Sequence, residues 1–232
     1  MISVCIATYN GEKYVCEQLE SILKQIGNDD EVIISDDGST DETLNIIKGF
    51  IEKEQKTIKL IEGPRKGVIK NFENAIKNAQ GDIIFLSDQD DIWEDNKVET
   101  MVDAFRKSND YYVVVHDATV VDSNGEKIMD SFFATRNSKK GLIKNLIKNS
   151  YIGCCMAFKC EIKEKILPFP DGIEMHDWWI GLVSEMKYKS YFIDEKLIRY
   201  RRHGDNVSSL HHHPLKKMLG NRLTFIKELI KL

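Results

Sequence analysis

The chain has 232 residues, 42% hydrophobic and 30% charged, which is enough to bury a full core in one large domain. A net charge of −4 gives no reason to expect nucleic acid as a partner, and 9% aromatic residues with only 4 prolines exclude a disordered chain. No apolar run approaches the length needed to cross a bilayer. The charge is uneven: after Pro214 five bases (Lys216, Lys217, Arg222, Lys227, Lys231) face one acid, Glu228. Five cysteines, an odd number with no Cys-x-x-Cys pair, argue against a disulfide framework and for a reducing compartment. Cys5 and the Cys154-Cys155 pair read as small packed residues. The chain opens directly in a strand, with neither a basic n-region nor an apolar h-region, so a cytoplasmic protein is expected.

Residues Ile2 to Ala7 form a short apolar strand. The turn Thr8-Tyr9-Asn10-Gly11 leads into a helix from Glu12 to Ile26, with Val15, Leu19, Ile22, Leu23 and Ile26 on one face. A second strand runs from Glu31 to Ser35. Ser39 and Glu42 have the spacing of a capping box before a helix that carries Leu44, Ile47 and Ile51. Thr57 to Ile61 is a third strand, Gly67 to Ala79 a third helix, Ile83 to Leu86 a fourth strand, and Asp95 to Lys107 a fourth helix. This alternation predicts a mostly parallel sheet with helices on both faces. After Asp110 the texture changes. Strands are expected over Tyr112–Val115, Thr119–Val121, Ile152–Phe158, Tyr188–Ile193 and Leu197–Tyr200, with a hairpin turn at Ser123-Asn124-Gly125. Helices are expected over Lys139–Asn149, up to Ile166, over His176–Met186, and finally over Leu215–Leu232. The expected organisation is one domain over residues 1–207, with a nucleotide-binding half (1–110) and an acceptor-binding half (111–207), followed by a basic amphipathic helix within 208–232.

The chemistry concentrates where the fourth strand ends. The apolar run Ile83 to Leu86 stops in Ser87-Asp88-Gln89-Asp90-Asp91, placing three carboxylates within four positions. Acids at the carboxyl end of a buried strand sit where α/β sheets bind ligands. Asp88 and Asp90 can face one hard cation, Mg²⁺ or Mn²⁺, which takes oxygen ligands and keeps positions for phosphate and water. The alternative is a solvated turn capping the next helix. Asp91 is expected to cap that helix or orient the loop. Asp36 and Asp37 end the second strand, where a carboxylate can accept the N3–H of uracil or thymine, or simply serve the turn before Gly38. The turn at Thr8 lacks the glycine patterns of dinucleotide folds and P-loops. Asp177 precedes Trp178-Trp179. It reads either as a base beside an indole platform for a sugar or as a cap with core tryptophans. His203 could ligate the metal or contact a diphosphate, or be structural, and Arg201 and Arg202 before it could contact a diphosphate. His211-His212-His213 reads as an exposed tract.

The set Thr8-Tyr9-Asn10-Gly11, Asp36-Asp37-Gly38-Ser39-Thr40-Asp41, Asp88-Gln89-Asp90-Asp91, His176-Asp177-Trp178-Trp179 and Tyr200 to Val207 resembles family 2 glycosyltransferases. More narrowly, it is similar to their bacterial rhamnosyltransferase-like branch. The resemblance spans Met1 to about Val207 and implies a GT-A-type Rossmann-like fold, a nucleoside-diphosphate sugar donor and an inverting single displacement. It implies that Thr8, Tyr9, Asn10, Glu12, Asp37, Lys70 and Asp88 bind the donor, and that Asp88, Asp90 and His203 hold the metal. It also implies that Asp177 deprotonates the acceptor, with Trp178 and Trp179 as the sugar platform. Many members carry Asn-x-Gly after the third strand; Arg65-Lys66-Gly67 stands there instead. The expected activity is transfer of rhamnose from dTDP-rhamnose, or of another dTDP- or UDP-sugar, to a glycan or lipid-linked glycan of the cell envelope. The competing functions are a sugar-nucleotide nucleotidylyltransferase, which wants a glycine-rich loop after the first strand, and a non-catalytic sugar-nucleotide-binding module. Leu215, Met218, Leu219, Arg222, Leu223, Ile226, Leu229 and Ile230 fall near one face of the last helix, which either packs on a protein surface or lies on anionic lipid at the inner face of the cell membrane.

Overall fold

The structure is a computed structural model. It describes residues 1–204, residue 206 and residues 215–232, the side chains of 215–217 excepted. Asp205, Val207 and the His211–His213 tract therefore lie outside the described residues.

The elements follow in order as β1 (Ile2–Thr8), α1 (Val15–Leu23), β2 (Glu31–Asp36), α2 (Thr43–Lys53), β3 (Thr57–Glu62), α3 (Val68–Asn78), β4 (Ile83–Ser87) and the two-residue β5 (Ile92–Trp93). Then come α4 (Lys97–Lys107), β6 (Tyr111–Val121), β7 (Lys127–Met129), α5 (Phe132–Arg136), α6 (Leu142–Ile147), β8 (Met156–Lys159), α7 (Lys163–Ile166), α8 (His176–Lys187), β9 (Lys189–Arg201) and α9 (Leu215–Ile230). Among the described residues one sheet carries all the strands in the order β3-β2-β1-β4-β8-β6-β9-β5, with β7 paired to β6. Its first four strands are parallel, while β8 joins antiparallel to both β4 and β6. All of β2 is buried and so is β4 from Ile84 onward, which means that both faces of the sheet are covered.

Strand β1 has β2 on one side and β4 on the other, so the chain reverses its order across the sheet there. A crevice opens at such a switch point, at the carboxyl ends of the strands. Thr8 pairs with Asp36 and Ile6 with Ser87, so the turns carrying Tyr9, Asp37 and Asp88 all leave the same edge. The core side chains expected on α1 are all buried.

Local expectations fail at identifiable places. Ser39 does not cap α2, which starts at Thr43 without a side-chain cap; its hydroxyl bonds to Asp36 instead. The two strands expected on either side of His116-Asp117 are one strand, β6. The Asp117 carboxylate is buried within it because it accepts Ala118 N–H (2.7 Å), Phe133 N–H (2.8 Å) and the Ser131 hydroxyl. Likewise Asp194-Glu195-Lys196 is an exposed stretch inside the continuous β9. Only Met156 onward is strand in the segment expected from Ile152, a 3₁₀ turn filling residues 153–155. Helix α5 was not expected, and α6 is shorter than the expected Lys139–Asn149.

Candidate active site

The turn after β1 is zipped onto its neighbours. Tyr9 N–H donates to Gln89 Oε1 at 2.9 Å, and Gln89 Nε2 donates back to Tyr9 C=O at 3.0 Å. Gly11 lies directly beneath this clasp, where an added Cβ would collide with the Gln89 amide. Asn10, at φ 48°, receives Thr40 N–H on its side chain and donates its own N–H to Ser39. Glu12 accepts Glu42 N–H at 2.9 Å. This hydrogen-bonded rim leaves Tyr9 57% exposed at the mouth of an open cleft of about 1040 Å³.

The two aspartates ending β2 divide their roles. Asp36 is buried and saturated, accepting Gly38 N–H, Ser39 N–H, Thr8 Oγ1 and Ser39 Oγ. Asp37 lines the cleft, its carboxylate receiving Arg65 N–H and Gly67 N–H from the β3–α3 loop. Arg65 also lines the cleft and adopts φ 57°, a left-handed conformation that asparagine tolerates better than arginine. Lys70, by contrast, is absent from the cleft lining. It pairs with Glu73 (2.9 Å) and Asp171 (3.5 Å) and bonds Phe169 C=O.

Asp88 and Asp90 both face the cleft. Burial, then Asp90 and Asp177 nearby, raise Asp88 to about 7. Burial also raises Asp90, against the pull of His203, whose Nε2 lies 2.7 Å from Asp90 Oδ2. His203 stacks on Tyr14 with ring centroids 4.9 Å apart, and Asn206 reaches the same Asp90 oxygen at 3.2 Å. Asp91 is fully buried. One of its oxygens accepts Arg201 N–H at 2.8 Å, so it orients β9 rather than capping α4. Arg201 braces the loop from behind, donating to Asp90 C=O, Ser123 C=O and Glu17. It is therefore committed to structure, away from the diphosphate contact considered from sequence.

Two oxygen-rich groupings could hold a cation. Asp88, Asp91 and Cys154 present atoms within 4.8 Å of one another. Burial raises the Cys154 thiol well above its ordinary range, however, and a protonated thiol suits a hard cation poorly. Asp88 and Asp90, with His203 beside them, are the donors that reach the cleft, and their crowded charge fits Mg²⁺ or Mn²⁺. Beneath them sits Lys97, a fully buried lysine that sequence reading missed. Its Nζ donates to Cys154 C=O at 2.6 Å and lies 4.0 Å above the Trp93 ring. Burial lowers its proton affinity to about 8, against the opposing field of Asp91 and Asp88. The available signal was its place in the first turn of a helix whose next residue, Val98, points inward.

Helix α8 starts at His176, with Met175 rather than Asp177 in the capping position. The Asp177 carboxylate is buried, bonded to Trp178 N–H at 2.6 Å, and raised by that burial to about 7. Its field is felt at Asp88. Both tryptophans are core residues, 4% and 2% exposed, with their indole N–H groups donating to Asn145 C=O and Ile166 C=O. Neither offers an open face, so the platform expectation gives way to packing. From this segment Met175 faces the cleft instead. His176 is buried on Phe72 (centroids 4.1 Å apart) and kept neutral by burial, which lowers it to about 3.

Fold and cleft together are those of the α/β proteins that bind ligands at the carboxyl ends of their strands. The family model for glycosyl transferase family 2 matches residues 3–167, and the chain belongs to that family. It is 31% identical over 226 residues to the dTDP-rhamnosyl transferase RfbG of Shigella flexneri, covering 87% of this chain and 72% of the relative. It is 28% identical over 213 residues to an uncharacterized glycosyltransferase of a Nostoc species, covering 88% of this chain and 66% of that one. The structure superposes on TarS of Staphylococcus aureus in complex with UDP-GlcNAc with a TM-score of 0.75 at 19% identity, covering 98% of this chain and 66% of that chain. That likeness shows the GT-A-type fold. The chain thus spans about two thirds of the length of these three proteins.

Proposed function

We propose that the chain transfers a sugar with inversion from a nucleoside diphosphate to a hydroxyl of a glycan or lipid-linked glycan, in cell-envelope polysaccharide synthesis. The observation that carries this is one cleft holding Asp37 on one wall and Asp88 with Asp90 on the other, with Asp177 electrostatically adjacent. The 31% identical dTDP-rhamnosyl transferase makes rhamnose from dTDP-rhamnose the first donor to test, ahead of other dTDP- or UDP-sugars. Residues 1–110 would bind the nucleotide and residues 111–207 the acceptor.

In this reading Asp37, pinned by two backbone N–H groups, presents its remaining lone pairs to a pyrimidine N3–H, and the exposed Tyr9 ring stacks on the base. Thr8, Asn10 and Glu12 hold the rim in shape. Arg65, which lines the cleft where Lys70 does not, contacts the diphosphate. Asp88 and Asp90, with His203, would hold Mg²⁺ or Mn²⁺, which would supply positive charge against the diphosphate. Asp177 accepts the acceptor hydroxyl's proton while that oxygen bonds to the anomeric carbon from the face opposite the leaving group. The bond from that carbon to the phosphate oxygen breaks, and the diphosphate leaves with the electron pair. A carboxyl titrating near 7 matches the working pH of a general base. Five free cysteines support a cytoplasmic site of action.

Asp177→Asn tests the reading. Donor binding, measured as a melting shift with dTDP- and UDP-sugars and Mn²⁺, should persist while transfer falls about 10²–10⁴-fold. Wild-type transfer by this variant removes Asp177 as the base. Formation of a nucleoside-diphosphate sugar from sugar 1-phosphate and NTP, with release of pyrophosphate, would point to a nucleotidylyltransferase, and donor binding without turnover by the intact chain to a binding module.

A further inference from the structure

We propose that the outer faces of α6 and α9 form one docking surface for an anionic lipid bilayer. This goes beyond the transfer reading and does not depend on it. Among the described residues, six of the eleven exposed large apolar side chains lie on these two helices: Ile143, Ile147, Leu219, Leu223, Ile226 and Ile230. Their exposures run from 41% to 80%. Helix α9 is amphipathic in two directions. Phe225 and Leu229 are its inner seam, Phe225 packing on Trp178 with centroids 4.5 Å apart. At 100° per residue Leu219, Leu223, Ile226 and Ile230 share a separate stripe, about 16 Å long at 1.5 Å per residue.

The two helices present these side chains on one continuous patch. Arg222 lies on the α9 circumference between the buried seam and the outer stripe, and its guanidinium donates to Ile147 C=O. The end of α6 therefore borders the stripe. Ile143 is one turn back on the same side of α6 as Ile147.

Charge selects the occupant. The segment 137–149 carries Lys139, Lys140, Lys144 and Lys148 and no acid. Desolvation, and then the nearby charges of Lys139 and Lys148, lower the proton affinity of Lys144. Lys227 flanks the stripe on α9. Glu228, the sole acid on that helix, is turned toward the seam and bonded to Lys231. An apolar stripe rimmed by lysines is the pattern of an interfacial helix on anionic lipid.

The experiment is co-sedimentation of the chain with phosphatidylcholine vesicles, with and without phosphatidylglycerol. Binding is expected only with phosphatidylglycerol present and should weaken as salt rises. The double variant Leu223→Glu/Ile230→Glu should bind at least about tenfold more weakly, because the inserted apolar area is lost. Lys140→Glu/Lys148→Glu should lose the preference for the anionic vesicles. All four positions are surface ones, so wild-type circular dichroism and an unchanged donor-induced melting shift should accompany the loss. That readout keeps failure of docking separate from failure of the transfer reading. The proposal is overturned if the intact chain ignores anionic vesicles or if the Leu223→Glu/Ile230→Glu protein binds them as well as wild type. It is also overturned if sedimentation shows a wild-type dimer that this variant dissolves, since a second copy then covers the face.

Discussion

Asp177 owes its late titration chiefly to burial, since the hydrogen bonds from Trp178 and Gly153 N–H groups pull the other way. If it is the base, kcat/KM should rise with pH through about 7 and level off above it. A flat profile from mildly acidic to mildly alkaline pH would leave the carboxylate no part in proton removal. At the rim of the cleft, Gly11 is required by the Gln89 amide rather than by its own dihedrals. Gly11→Ala should push Gln89 off the Tyr9 backbone and cost about 1–3 kcal/mol by denaturant unfolding. Donor affinity should fall with it, because the turn bearing Tyr9 and Glu12 loses its tie to β4. Wild-type stability in this variant would show that the clasp is dispensable.

At the scale of elements, the end of β4 and the first turn of α8 bring together acids that the fold holds out of water. Asp88 and Asp177 keep their protons up to about 7, whereas unfolded carboxylates lose theirs near 4. Between those values the native state binds more protons than the unfolded chain, so stability of the metal-free protein falls as pH rises through that window. A divalent cation on Asp88 and Asp90 opposes this. Mn²⁺ should therefore raise the melting temperature more at pH 8 than at pH 5, relative to chelator. An equal effect at both values would place the cation elsewhere. The acids, their strand and its parallel neighbours were all legible in the sequence, because a buried parallel strand is a continuous apolar run and its polar stop is abrupt. Lys97 was not legible. A lysine in a helix is ordinarily solvated, and only the packing of α4 over Trp93 and Cys154 buries this one.

For the whole molecule, α9 acts as a buttress. Phe225 seats it against Trp178, the residue after Asp177, so Phe225→Ala should cost about 3–5 kcal/mol and loosen the start of α8. Transfer should drop with stability in that variant. Leu223→Glu, on the opposite side, should leave both near wild type. If the two substitutions act alike, α9 is not seated by Phe225. The helical periodicity placed eight residues of this helix near one face and passed over Phe225. The structure divides that set, burying Leu229 with Phe225 and leaving Leu219, Leu223, Ile226 and Ile230 outside.

The sequence by itself determined the α/β class, the parallel half of the sheet, the acids at the strand ends and the resemblance that led to family 2. These rest on local signals: apolar runs, turn residues and short motifs that need no distant partner to be read. Only the tertiary structure decided which of each neighbouring pair faces the cleft. Asp36 is spent on Thr8 and Ser39 while Asp37 is presented, and Asp91 holds Arg201 while Asp90 meets His203. It turned Trp178 and Trp179 inward and tied Lys70 to Glu73, leaving Arg65 at the cleft. The reason is that a side chain's role at a site depends on which partners from remote segments satisfy it first, and those partners meet only when the sheet closes.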